Sequence, residues 1–135
     1  MRLILDTNIL IAALITKGSP PDLLYKAWRD GRFSLVTSDI QIDEIRRVTR
    51  REAVRLRIHP AEAGRMVGDL RRLALSMNQL PTVEVSRDPY DNFLLAMAQV
   101  SNADLLVTGD KRDLLTLTHH RGTRIVTARA ALALL

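Results

Sequence analysis

Two aspartates follow apolar runs that are typical of buried parallel strands. Asp6 comes directly after residues 3–5, and Asp110 follows the run 105–107, with Thr108 and Gly109 in between. Ligands of open α/β sheets bind outside the carboxyl ends of the strands. Both acids are therefore predicted at the edge of the sheet where chemistry occurs, although they are far apart in the chain.

Two further acids are predicted at the same edge. Ile40, Ile45 and Val48 define the apolar stripe of one predicted helix. Glu44 falls within that stripe, and Asp91 lies in the first turn of another helix that is apolar nearly all round. Four carboxylates at one point resist ionising together. A divalent cation such as Mg²⁺ or Mn²⁺ resolves this, because hard cations prefer oxygen ligands, so the first hypothesis is a metal-dependent reaction on phosphate.

Several acids near this edge also have a structural interpretation, which the sequence leaves open. Asp6 suits the N-cap of the helix that follows its strand. Glu44 has Arg47 and Arg51 as ion-pair partners on its own helix. Asp88 is predicted to be the N-cap of the next apolar helix, since a proline follows it at the first helical position.

The composition predicts one soluble domain that spans residues 1–135. The chain has no cysteine, which excludes disulfides and thiolate zinc sites. The N-terminus begins with a strand pattern rather than a signal peptide, and the apolar runs are too short to span a membrane. A cytoplasmic location without membrane association is expected.

The chain is basic, with a net charge of +5, and its arginines far outnumber its lysines. A basic excess favours polyanionic partners, and arginine binds phosphate through paired hydrogen bonds. A compositional bias explains the arginine content equally well. The basic residues near the predicted acids are expected to track nucleic-acid phosphates, or else to form a solvated face or a surface for an acidic partner protein. They are Arg46, Arg47, Arg50, Arg51 and Lys111.

Predicted strands alternate with predicted helices along the chain. The strands are expected at residues 2–6, 33–37, 83–85, 105–108 and 124–126. The helices are expected at about 8–15, 21–30, 38–51, 60–77 and 88–100, with a short one after 110 and another from 128. A capping box of Ser38 and Gln41 is predicted to start the third helix. Such alternation predicts an α/β fold, with a mostly parallel sheet and helices on both faces.

These motifs resemble the PIN-domain ribonuclease family across essentially the whole chain. The resemblance is carried by Leu5-Asp6-Thr7-Asn8-Ile9-Leu10, Asp43-Glu44-Ile45, Asp88-Pro89-Tyr90-Asp91-Asn92 and Val107-Thr108-Gly109-Asp110, followed by Leu114-Leu115. It implies a single-domain Rossmann-like three-layer sandwich with strand order 3-2-1-4-5. It also implies that Asp6, Glu44, Asp91 and Asp110 are the catalytic, metal-binding acids, with Asn8, Thr108 and Asp113 in support. Two departures are Tyr90, where many relatives carry an acid, and Arg112, which weakens the match of Asp113.

The function implied by this resemblance is that of a Mg²⁺- or Mn²⁺-dependent endoribonuclease that hydrolyses RNA phosphodiester bonds. The sequence is most similar to small bacterial or archaeal PIN proteins described as toxins of toxin–antitoxin pairs, which implies an antitoxin partner and a homodimer. One alternative is a non-catalytic PIN-fold module that binds RNA or protein. Another is a phosphatase- or receiver-like phosphoryl-transfer protein, but Asp6-Thr7-Asn8 lacks the second aspartate that such hydrolases need. The histidines His59, His119 and His120 are interpreted as solvated rather than catalytic.

Overall fold

A computed structural model describes residues 1–109 and 112–135 of the chain. Its strands are β1 (Arg2–Leu5), β2 (Ser34–Thr37), β3 (Leu75–Ser76), β4 (Leu105–Val107), β5 (His119–His120) and β6 (Thr123–Val126). Its helices are α1 (Thr7–Ile15), α2 (Pro20–Arg29), α3 (Asp39–Thr49), α4 (Glu52–Arg55), α5 (Pro60–Leu73), α6 (Pro89–Ser101), α7 (Leu114–Leu117) and α8 (Ala128–Leu134). None of the helices in these two ranges is long and apolar enough to cross a membrane.

The strands form one sheet in the order β3-β2-β1-β4-β6-β5. All neighbouring strands are parallel except β5 and β6, which form an antiparallel pair at one edge. This confirms the expected order 3-2-1-4-5, with β6 as the fifth parallel strand, and adds β5 outside it. Strand β1 lies between β2 and β4, and Leu5 is in register with Val107. Asp6 follows β1 and Thr108 follows β4, so these two residues are neighbours at the carboxyl edge of the sheet.

The position of the third strand was predicted wrongly. Residues 83–85 are not a strand, whereas Leu75–Ser76 pairs with β2. The Asn92 side chain explains the first difference, because its Oδ1 accepts hydrogen bonds from the backbone N–H groups of Val85 and Ser86. Helix α5 explains the second, because it ends at Leu73 rather than near residue 77 and so leaves the next residues free to extend along β2.

Successive residues of β1 pack on opposite faces of the sheet, as the two-residue period of a strand requires. Leu3 and Leu5 belong to a core with residues of α1, α2, α3, α5 and α8. Ile4 belongs to a second core, formed mainly with α6 and α7. The predicted arrangement of helices on both faces is thus confirmed. Because both faces of β1 are covered by helices, all of its buried positions are apolar, which explains the continuous apolar run in the sequence.

The start of α3 is tied to the end of β1 by a side chain. Ser38 is the predicted N-cap, and its Oγ accepts a hydrogen bond from the backbone N–H of Gln41. The Gln41 side chain does not follow the predicted capping box. Its Nε2 donates to the carbonyl of Leu5 at 2.7 Å, and its Oε1 accepts from the Thr37 hydroxyl. Since Gln41 is buried, this contact holds α3 against the strand end that leads to Asp6.

Candidate active site

A cleft of about 580 Å³ opens at the carboxyl edge of the sheet, beside the end of β1. Its acidic lining residues come from separate segments of the chain: Asp6, Glu44, Asp88, Asp91 and Asp113. Its other lining residues are Thr7, Asn8, Ile9, Ala12, Tyr90, Gly109 and Arg112. Three of the four acids predicted to act together, Asp6, Glu44 and Asp91, therefore border one cleft.

Asp6 is buried at the junction of β1 and α1, with a relative exposure of 5%. It occupies the N-cap position of α1, as the structural interpretation expects, but its side chain makes no capping hydrogen bond. Instead, the fully buried Thr108 hydroxyl donates to Asp6 Oδ2 at 2.8 Å. The pairing of β1 with β4 continues one residue further, because the Asp6 N–H donates to the carbonyl of Val107. The register of two strands thereby orients this carboxylate.

Asp91 is equally buried, at 4% exposure, in the first turn of α6. The Ser86 hydroxyl donates to its Oδ2 at 3.1 Å. Asp88 is the N-cap, as predicted, and its Oδ1 accepts from the Tyr90 N–H at 2.9 Å. The cap and the loop that folds back through Ser86 together fix the helix start, and this places the Asp91 carboxylate at the cleft.

Glu44 lies half-buried on the wall of the cleft, in an ion pair with Arg47. Arg47 Nη2 donates to both carboxylate oxygens, at 2.6 and 2.7 Å, and the pairing raises the pKa of the guanidinium further above its usual value. The apolar stripe was predicted wrongly at one position, because Ile40 is 55% exposed whereas Ile45 is buried. Helix α3 begins only at Asp39, so Ile40 lies in its first turn and faces solvent.

The fourth predicted acid, Asp110, lies outside the described residues, and so does Lys111. Among residues 1–109 and 112–135, no three carboxylate or imidazole groups are grouped closely enough to hold a metal ion. The acidic side chains that border the cleft nevertheless present carboxylate oxygens, the ligand type that Mg²⁺ and Mn²⁺ prefer. The donor set therefore fits such a cation in its chemistry.

The supporting residues named from the sequence differ in their surroundings. Thr108 contacts Asp6 directly, whereas Asn8 is an exposed side chain at the cleft. Asp113 is half-buried, and its Oδ1 accepts a hydrogen bond from Arg87 Nη2 at 3.2 Å.

The arginines predicted to bind RNA lie on α3 or between α3 and α4. Arg46 is half-buried, and Arg50 and Arg51 are exposed.

The histidines have structural surroundings away from the cleft lining. His59 is the N-cap of α5, and its Nδ1 accepts a hydrogen bond from the Ala61 N–H. His119 is exposed, and His120 lies within hydrogen-bonding distance of Gln99. Burial and, to a lesser degree, the positive charge of Arg121 lower the pKa of His120.

Sequence reasoning missed the hydrogen-bonding roles of Thr7, Gln41, Ser86 and Tyr90 at this site. The Tyr90 hydroxyl is hydrogen-bonded to Thr7 Oγ1. Burial raises the pKa of Tyr90, and the negative charges of Asp6 and Glu44 raise it further. Thr7 and Tyr90 are each adjacent in sequence to a predicted acid, and this adjacency was the only available signal. The pairing itself joins residues 83 positions apart.

Comparison with known proteins identifies the family. A family model described as the PIN domain matches residues 2–112, a stretch that contains all four predicted acids. Among solved structures, the PIN domain of human SMG5 is similar, with a TM-score of 0.59, 14% sequence identity and full coverage of both chains, a likeness that concerns the fold. No curated protein matches this chain. The chain belongs to the PIN-domain family, which has a nuclease-type fold.

Proposed function

We propose that this protein is a Mg²⁺- or Mn²⁺-dependent endoribonuclease whose acids are Asp6, Glu44, Asp91 and Asp110. The observation that carries the proposal is the pair Asp6 and Asp91, each more than nine-tenths buried and each lining the same cleft. Burial of a carboxylate costs free energy. Buried carboxylates therefore occur preferentially where their charge has a function, as at an active site. Membership of the PIN-domain family supports the same reaction class.

The protein's own groups orient the acids and the substrate. Thr108 and Ser86 each donate a hydroxyl hydrogen bond to one oxygen of an aspartate, which directs the carboxylates. A divalent cation at these acids would supply Lewis acidity, activating water and stabilising the charge that develops on the phosphodiester. The arginines Arg46, Arg50 and Arg51, which lie on or next to α3, would hold the RNA backbone through its phosphates.

The first experiment measures cleavage of labelled single-stranded and structured RNA with Mn²⁺, with Mg²⁺ and with EDTA. Asp6→Asn is compared under the same conditions. We expect cleavage that needs the metal and that falls by at least about a hundredfold in the variant, because loss of a ligand exceeds the effect of losing one of its hydrogen-bond partners.

A matched pair of variants on one helix provides the control. Glu44→Gln removes a carboxylate at the cleft, whereas Asp43→Asn removes its exposed neighbour. We expect loss of activity in the first and wild-type activity in the second. A folded wild type that binds Mn²⁺ and cuts none of the RNAs would overturn the nuclease proposal and favour the non-catalytic binding module. Release of phosphate from small esters would favour the phosphoryl-transfer alternative.

We further propose that the protein is the toxin of a toxin–antitoxin pair, that it forms a homodimer and that an acidic surface of an antitoxin meets its arginines. The similarity of the motifs to small prokaryotic PIN proteins and the positive net charge support this. Expression in a bacterial host should arrest growth, and Asp6→Asn should not. Sedimentation of the purified chain measures the dimer, and a monomer at all concentrations would contradict that part.

A further inference from the structure

The hydroxyls of Tyr90 and Thr7 join the two helices that carry the buried acids. Tyr90 precedes Asp91 in the first turn of α6, and Thr7 follows Asp6 as the first residue of α1. We infer that the Tyr90–Thr7 hydrogen bond is a positioning contact that sets the placement of Asp91 relative to Asp6 for a divalent cation. This inference rests on the proposed function and deepens it.

Both ends of the contact are held by other interactions. Thr7 is 3% exposed, and the residue before it is hydrogen-bonded through its backbone to Val107 of β4. The Tyr90 backbone N–H donates to the cap Asp88, and the Tyr90 ring packs against Phe93 with 5.9 Å between the ring centroids. A hydrogen bond between two groups that are each anchored near a helix start links the position of one helix start to that of the other.

A phenol suits this role in a cleft bordered by acids. It bonds to the neighbouring hydroxyl without adding charge, whereas another carboxylate at the same place would repel Asp6 and Asp91. Groups that orient metal-binding side chains typically change the metal affinity by about 10–100-fold when they are removed. The contact is therefore expected to be measurable in metal binding itself, apart from any catalytic step.

The chain offers a matched control in Tyr25. Its hydroxyl also makes a long-range hydrogen bond, to Asp69 Oδ2 at 2.7 Å, and burial also raises its pKa. Tyr25 borders a different cavity, between α2 and α5, and not the acid-lined cleft. Removal of the Tyr25 hydroxyl thus tests for general destabilisation without altering the site.

The experiment measures Mn²⁺ binding by calorimetry and by the electron paramagnetic resonance signal of free Mn²⁺. The wild type is compared with Tyr90→Phe, Thr7→Val, the double variant, Thr7→Ser and Tyr25→Phe. We expect a loss of about tenfold in affinity for Tyr90→Phe and for Thr7→Val, and no further loss in the double variant. Thr7→Ser keeps the hydroxyl and should bind Mn²⁺ as the wild type does, and so should Tyr25→Phe.

Mn²⁺ affinity within twofold of the wild type in both Tyr90→Phe and Thr7→Val would overturn the inference. So would equal losses in Thr7→Ser and Thr7→Val, since the effect would then not come from the hydroxyl. The thermal unfolding of each variant is measured to ensure that only folded proteins are compared. Thr7→Ser, the most conservative of these changes, is expected to unfold as the wild type does. If the affinities behave as expected while the wild type cuts no RNA, the positioning contact stands and the nuclease proposal fails.

Discussion

Asp6 and Asp69 are both buried aspartates, yet they lie in regions that use the charge differently. Asp69, at 1% exposure, accepts hydrogen bonds from Arg29, Arg72 and Tyr25 and so joins α2 to α5. Asp6 accepts a hydrogen bond at Oδ2 from the Thr108 hydroxyl and borders the cleft that Glu44 and Asp91 also line. Burial alone therefore does not mark a functional acid. The cleft that Asp6 shares with two other predicted acids distinguishes this candidate catalytic acid from the structural Asp69.

The largest expected difference between the two regions is in activity. Asp6→Asn should lower RNA cleavage by at least about a hundredfold. It should leave the free energy of unfolding unchanged or higher, because active-site charges are commonly kept at a cost in stability. Cleavage assays and urea denaturation of the same preparation measure the two quantities. If Asp6→Asn unfolded the protein instead, Asp6 would be a structural acid like Asp69.

The reverse result is expected for Asp69→Asn. Loss of this charge leaves Arg29 and Arg72 without their buried partner, so the free energy of unfolding should fall by about 2–4 kcal/mol. Urea denaturation measures this. Cleavage per folded molecule should stay at the wild-type level. Arg72→Met provides the graded comparison, since the Arg72 side chain is 66% exposed and its loss should cost less than about 1 kcal/mol.

The hydroxyl beside Asp6 provides a finer test of the cleft. Thr108→Val keeps the shape of a fully buried side chain but removes the donor to Asp6 Oδ2. We expect Mn²⁺ affinity and cleavage to fall by about tenfold, because a metal-binding carboxylate loses the group that orients it. Thr108→Ser should retain most of both. Equal losses in the two variants would indicate packing rather than the hydrogen bond.

Glu44 combines features of Asp6 and Asp69, since it borders the cleft as Asp6 does and is paired with an arginine as Asp69 is. A cation that uses Glu44 has to share or displace Arg47, so Arg47→Met should strengthen Mn²⁺ binding by about two- to fivefold at low salt. The gain should shrink as salt screens the pair. Arg50→Met removes the same charge one turn away and should have less effect. Equal gains in both variants would indicate the net charge rather than the ion pair.

Much of the fold was predictable from patterns of adjacent residues. The apolar runs indicated β1 and β4, and serine and aspartate caps indicated where α3 and α6 begin. The cleft positions of Asp6 and Asp91 followed from these elements, because parallel strands end at one edge of a sheet. Local patterns suffice here, since strand period, helix period and capping are set by neighbours in the chain.

The wrong predictions concern contacts between distant segments. The side chains of residues 83–85 favour a strand. However, Asn92 Oδ1 accepts hydrogen bonds from the backbone N–H groups of Val85 and Ser86, and Leu75–Ser76 pairs with β2 instead. Gln41 was expected to close a capping box, but the end of β1 offered a carbonyl within its reach. In each case a side chain had two possible partners, and only the packed fold determined which one was near.

The sequence by itself determined where β1, β4, α3 and α6 lie, and it placed acids at the end of β1 and in the first turn of α6. Only the tertiary structure decided that Asp69 is paired with arginines, that the Thr108 hydroxyl contacts Asp6 and that Arg47 is paired with Glu44. The physical reason is distance along the chain. Local preferences act over a few residues, whereas Thr108 and Asp6 are 102 residues apart and become neighbours only through the register of two strands.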